Sequence, residues 1–185
     1  MVYRQTMKQL NTYIEEAFIT KSNIKSLSDP KYTCKPKDRK ELQAIISKRI
    51  EKEGNECDLN DIDVSDIKSF YGLFINSKFN GDISEWDVSN VEDMCSMFKY
   101  CPFNGDISGW DVSNVVNMGS MFFNSKFNGD ISKWNVSNVE DMDFMFQGSE
   151  FDGDISQWNV SKVADMTDMF MYSPLEKNPP KWYKE

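Results

Sequence analysis

The apolar positions of the chain recur with a period of 24 residues. From Phe79 the sequence reads FNGDISEWDVSNVEDMCSMFKYCP, and from Phe103 FNGDISGWDVSNVVNMGSMFFNSK. FNGDISKWNVSNVEDMDFMFQGSE follows from Phe127 and FDGDISQWNVSKVADMTDMFMYSP from Phe151, with no insertion between units. A degenerate unit spans 55–78, with Leu59, Ile62, Val64, Ile67, Phe70, Leu73 and Phe74 in the apolar columns. A truncated one spans 175–185, with Leu175 and Trp182 in the first and eighth columns. One unit cannot bury eight large apolar groups by itself, whereas stacked units can, because each column then lies on its own copy. The pattern therefore predicts ladders of like side chains, Trp86–Trp110–Trp134–Trp158–Trp182 and Phe98–Phe122–Phe146–Phe170.

Within a unit, Trp86-Asp87-Val88 alternates apolar and polar, which predicts a short strand with one face in the core. Val91, Met94, Met97 and Phe98 are spaced by three, three and one, which predicts a short helix. Asn80-Gly81-Asp82 is a turn signal. The expected fold class is thus an α/β repeat solenoid, a leucine-rich-repeat-like right-handed coil with one short strand and one short helix per repeat. The strands would form a parallel sheet along one side. Before the repeats, Met7, Leu10, Ile14, Ala17 and Phe18 predict an amphipathic helix over 6–19. Leu42, Ile45, Ile46 and Ile50 predict a second over 38–53, with Asp38 as N-cap and Gly54 as its stop. The expected division is a helical segment and cap over 1–54, a five-unit solenoid over 55–174, and a capping tail over 175–185.

The pattern FNGDISxWDVSNVxxMxxMF resembles the DUF285 repeats of the BspA-like leucine-rich repeat proteins, over residues 55–182. The resemblance implies a leucine-rich-repeat-like solenoid that works by adhesion or protein binding rather than catalysis. Such proteins are known from bacterial and mycoplasma surfaces and from phage genomes. Met7–Ala17 in turn resembles the capsid-targeting leader of T-even phage internal proteins. That likeness implies a cut after Glu16, before Ala17.

Charge adds a polarity along the chain. Residues 1–54 hold 12 Lys+Arg against 7 Asp+Glu, and residues 55–185 hold 9 against 23. A long acidic part repels nucleic acid and anionic membrane, so neither is expected as a partner. Histidine is absent, which removes Ser-His-Asp and Cys-His catalysis and every histidine metal site. Cys34, Cys57, Cys95 and Cys101 show no CxxC spacing and read as free thiols. No run approaches the roughly 18 apolar residues of a membrane span, and no secretory leader is apparent. The expected location is the bacterial cytoplasm or a phage virion.

The Asp82, Asp106, Asp130, Asp154 column repeats one environment four times, whereas acid–base catalysis needs two carboxyls in different environments. These aspartates read as loop braces that bind backbone N–H groups, with calcium between units as the alternative. Asn135-Val136-Ser137 and Asn159-Val160-Ser161 fit a glycosylation sequon only because the repeat contains them. No phosphate-cradling loop occurs, no cofactor is implied, and no enzymatic activity is expected.

Two surfaces remain as candidates. Alternation beside Trp and Val turns Asp61, Asp63, Glu85, Asp87, Gly109, Asp111, Lys133, Asn135, Gln157 and Asn159 outward on the sheet face. That face is acidic toward its N-terminal end and suits a protein with a basic patch. A second patch gathers large residues from the positions that vary most between units: Tyr100, Phe123, Phe144, Met171 and Tyr172. The expected function is a non-enzymatic protein-interaction module, such as a phage-encoded inhibitor of a host factor. A packaged virion protein and a bacterial surface adhesin are the alternatives. Monomer and homodimer both stay open, because strands at solenoid ends can self-pair.

Overall fold

The computed structural model of the chain describes residues 31–184. The expected helix over 6–19 and the leader cleavage at Glu16–Ala17 lie outside the described residues. Helix α1 spans Arg39–Glu53. The Asp38 carboxylate accepts from the Glu41 amide at 2.9 Å, and the Lys37 amide donates to Glu41 Oε2 at 2.9 Å. These bonds satisfy amides that a helix start leaves unpaired. Gly54 ends the helix at φ 92°, its N–H reaching the Ile50 carbonyl. Leu42 and Ile46 are buried against the first repeat, Ile45 and Ile50 partly so.

Beyond α1 the described residues hold one further helical element, a 3-10 turn at Pro174–Glu176. The helix expected over Val91–Phe98 does not form, and neither does the strand at Trp86–Val88. Both are chains of β-turns. Met97 N–H bonds to Met94 C=O at 3.2 Å and Cys101 N–H to Phe98 C=O at 3.0 Å. Trp86 N–H bonds likewise to Ile83 C=O at 3.2 Å and Val91 N–H to Val88 C=O at 2.9 Å. The third residues of the first two turns, Ser96 and Tyr100, have φ near 57°, the type II pattern. A turn of this kind buries its first and fourth residues. Apolar spacings of three and four therefore arise without a helix.

The amides left over by these turns point at the next unit. Met94, Ser96, Phe98 and Tyr100 donate to the carbonyls of Asn117, Gly119, Met121 and Phe123 at 2.9–3.0 Å. The same four bonds recur at each later joint, and Phe70, Gly72, Phe74 and Asn76 make them to Asp93, Cys95, Met97 and Lys99. A helix would have spent these donors internally; here they bind unit to unit. Parallel pairing is limited to single-residue bridges, running Ser69–Asp93–Asn117–Asp141–Asp165 down one column.

The side chains stack as their columns predict. Phe98 lies on Phe122 at 5.7 Å between ring centroids, Phe122 on Phe146 at 5.6 Å, and Trp86 on Trp110 at 6.5 Å. Each joint is also locked across columns, as where Phe98 meets Phe103 at 4.3 Å. Every Trp donates its indole N–H to a carbonyl 27 residues back: Trp86 to Leu59, Trp110 to Ile83, Trp134 to Ile107, Trp158 to Ile131 and Trp182 to Ile155. Each fully buried Phe, Met, Ile or Val contributes about 1.5–3 kcal/mol, and the columns place seven such groups and a Trp in a unit.

The two ends differ. At the first unit, Arg39 Nη1 donates to the Tyr71 carbonyl at 3.0 Å and Gln43 Nε2 to the Leu73 carbonyl at 3.2 Å. Two α1 side chains, one helical turn apart, thus stand in for the amides of a preceding unit. At the last unit, Trp182 stacks on Trp158 at 6.5 Å and Tyr183 meets Phe170 edge-on at 4.9 Å. The tail therefore covers the tryptophan side of this end. On the other side of this end Val160, Val163 and Met166 stay only partly buried. Their counterparts Val136, Val139 and Met142 are at most 1% exposed.

Candidate functional site

Most polar residues of the repeat are committed to backbone. Asp82, Asp106, Asp130 and Asp154 each accept from the amide of the serine two residues on, at 2.9 Å. That bond holds each of these carboxyls below the ordinary aspartate range, serine's hydroxyl and amide together doing so at Asp130. The Asp87, Asp111, Asn135 and Asn159 column braces Ser89, Ser113, Ser137 and Ser161 in the same way. Asn80, Asn104 and Asn128 accept from the amide 24 residues on, while Asn90, Asn114 and Asn138 donate to the carbonyl 25 back. The same bond in every unit is a device for holding shape.

On the expected sheet face, Glu85, Asp87, Gly109, Asp111, Lys133, Asn135, Gln157 and Asn159 are exposed. Asp61 and Asp63 are not free to serve as partner contacts. Arg49 Nη1 donates to both Asp61 oxygens at 3.0 Å, and Thr33 Oγ1 also bonds to that carboxylate. Burial raises the Asp61 pKa, but Thr33 and Arg49 outweigh it and hold the carboxyl below its usual range. Lys35 pairs with Asp63 at 3.2 Å, and Lys31 with Glu85 at 2.7 Å. The basic residues before the repeats therefore neutralise the acidic N-terminal end of this face. Asp87 and Asp111 remain outside any ion pair of the described residues.

The variable apolar residues all sit at central positions of the two turns in each unit. Phe123 and Met171 are second residues of a turn; Tyr100, Phe144 and Tyr172 are third residues, at φ 57°, 52° and 60°. Gly72, Ser96, Ser120 and Asp168 share the Phe144 column because that position needs a left-handed backbone. Tyr172 is 72% exposed and Tyr100 50%; Phe123, Phe144 and Met171 are half-buried. Tyr100 meets Phe123 edge-on at 5.3 Å, and Lys99 Nζ lies 4.3 Å above the Phe123 ring. Gln147 Nε2 reaches Met171 Sδ at 3.1 Å, one unit further on.

Periodicity hid three exposed apolar residues. Tyr71 and Ile75 occupy second turn positions in the first unit and are 52% and 40% exposed. Val116, 39% exposed, lies in a groove of about 430 Å³ between Glu92 and Glu140. The signal available was their place in variable columns: Ile75 shares one with Lys99, Phe123, Gln147 and Met171, and Val116 one with Lys68, Glu92 and Glu140. Beside the turn face lies Asp143, whose pKa is raised to about 6 by burial and by the charge of Asp141. It fits because Gly119, one unit earlier, has no Cβ to collide with its carboxylate. All four cysteines are free, and burial raises the Cys101 thiol to about 11, far from a reactive thiolate.

Among the described residues no helix is long and apolar enough to cross a membrane. The family model described as "Mycoplasma protein of unknown function, DUF285" matches residues 41–128 and 103–183. No curated protein and no solved structure matches the chain.

Proposed function

We propose that this chain, which belongs to the DUF285 family, is a non-enzymatic protein-binding module of leucine-rich-repeat-like solenoid form. The solenoid reading is supported by the register: the same four amide-to-carbonyl bonds join every unit to the next. Polar columns that could serve chemistry are occupied in bracing backbone, which favours a scaffold over a catalyst.

The observation that carries the binding reading is Tyr172. Its backbone is left-handed at φ 60° and its ring is 72% exposed. Asn76, Asn124 and Gly148 fill the same column in three other units and Tyr100 in the fourth, and Asn and Gly suit this conformation better than an aromatic residue does. A bulky ring kept in a costly conformation and turned to solvent is suited to a partner. With Tyr100, Phe123, Phe144 and Met171 it presents aromatic and methionine side chains of the kind enriched at interface centres. Phage carriage is a further step that rests on Met7–Ala17 alone.

The test is capture of binding proteins from a bacterial lysate by the wild-type chain and by Phe123→Ala and Tyr172→Asn. A bound protein lost from both variants, with their circular dichroism unchanged and their melting no lower than that of the wild type, supports the reading. A bound protein retained by both moves the binding site off the turn face.

A further inference from the structure

The amides of Met166, Asp168, Phe170 and Tyr172 are the last set of the donors that join unit to unit. Their equivalents in the four preceding units each reach a carbonyl; among the described residues these four reach none. Beside them Val160, Val163 and Met166 are partly exposed where every preceding copy is buried. Among the described residues this half borders a pocket of about 530 Å³, lined by Asp165, Met166, Asp168, Phe170 and Glu176 and, from the tail, Tyr183 and Lys184.

We propose that this end binds a segment of another protein that takes the place of the second half of a next unit. The occupant follows from the joint it would complete. It supplies carbonyls at four alternate residues, as Asn117, Gly119, Met121 and Phe123 do for Met94, Ser96, Phe98 and Tyr100. Its apolar residues follow the Val-x-x-Met-x-x-Met-Phe spacing that covers Val139, Met142 and Phe146 inside the chain. Asp165, Asp168 and Glu176 around the pocket outnumber Lys184 there and favour basic residues between those apolar positions. This is main-chain recognition at an open edge, with side-chain pockets adding selectivity.

A second copy of the chain does not fit in either orientation. End against end, donors would face donors. Head to tail, the matching carbonyls of Tyr71 and Leu73 are held by Arg39 and Gln43, and the tail with Trp182 occupies the room that the first half of the incoming unit would need. The site adjoins the turn face of the proposed function, sharing Met171 and the Tyr172 amide with it, and does not use Tyr100 or Phe123.

The probe is a fluorescein-labelled peptide of residues 115–126, VVNMGSMFFNSK, which carries one net positive charge. Anisotropy with the full chain is compared with a scrambled peptide, and with the variants Met166→Lys, Val163→Asp and Tyr100→Ala. The expected result is saturable binding that the scrambled peptide lacks. Met166→Lys and Val163→Asp weaken it about tenfold or more, and Tyr100→Ala leaves it unchanged. Either end variant suffices if the other fails to fold. Binding no tighter than that of the scrambled peptide overturns the proposal, as does loss on Tyr100→Ala alone. A wild-type chain that dimerises by light scattering and loses that dimer on Met166→Lys would overturn it in favour of a second copy.

Discussion

The indole N–H of Trp134 donates to the carbonyl of Ile107 at 3.1 Å, across the joint between two units. Trp134 is 4% exposed, so neither partner has water as a ready substitute. Trp134→Phe keeps a ring in the column but removes the indole bond, leaving the Ile107 carbonyl only the Trp110 amide at 3.2 Å. A loss of about 0.5–1.5 kcal/mol is expected for that one hydrogen bond, read as a lower urea midpoint. An unchanged midpoint would mean that the column needs only a ring.

Gly81, the third residue of its unit, and Gly109, the seventh of the next, differ in what surrounds them. A Cβ on Gly81 would fall on the Cys57 carbonyl oxygen, whereas one on Gly109 would meet nothing within 4 Å. Gly81→Ala should cost more than about 2 kcal/mol through backbone displacement. Gly109→Ala should be neutral or stabilise by about 0.4–1 kcal/mol, by restricting the unfolded chain. Thermal melting of the two variants side by side checks both.

Tyr172→Asn places at this left-handed position the residue found there in two other units. It should stabilise the fold by about 1 kcal/mol, raising the melting temperature by about 2–4 °C for a chain of this size. The same change should weaken capture of a turn-face partner. A lower melting temperature would show that the ring packs usefully in the free protein.

Asp143 titrates against the trend of the repeat aspartates. Its carboxyl is raised from 3.8 to about 6 by burial and by Asp141. The native state thus binds a proton more tightly than the unfolded chain does. Charged Asp143 costs stability above pH 6, and that cost is relieved as pH falls toward 4. Asp143→Asn should melt higher than wild type at pH 7, with the gap closing by pH 4.5. A gap equal at both values would assign the effect to packing.

Removing the α1 donors tests the N-terminal closure. Arg39→Ala and Gln43→Ala each free one first-unit carbonyl and should cost about 0.5–1.5 kcal/mol. Faster amide exchange is expected in α1 and residues 69–77, while residues 127–150 stay protected. Uniform acceleration along the chain would show instead that the units unfold as one body.

The 24-residue period, the buried columns and the capped helix at Arg39–Glu53 were legible in the sequence, because burial of a repeated apolar set and helix capping are encoded locally. Trp182 could be assigned to its column from spacing alone. The path of the backbone within a unit could not. Spacings of three and four fit a helix face as well as consecutive turns; what separates them is where Met94, Ser96, Phe98 and Tyr100 send their amides, which depends on a neighbour 23 residues away. For the same reason Phe144 looked like a surface substitution, when its column is one of left-handed turn residues. Asp61 and Asp63 read as exposed acids because alternation says nothing of Arg49 and Lys35, which only tertiary packing brings over them. The difference between the two ends was likewise out of reach, since an amide is alike in every residue and only the finished stack shows which ones lack a carbonyl.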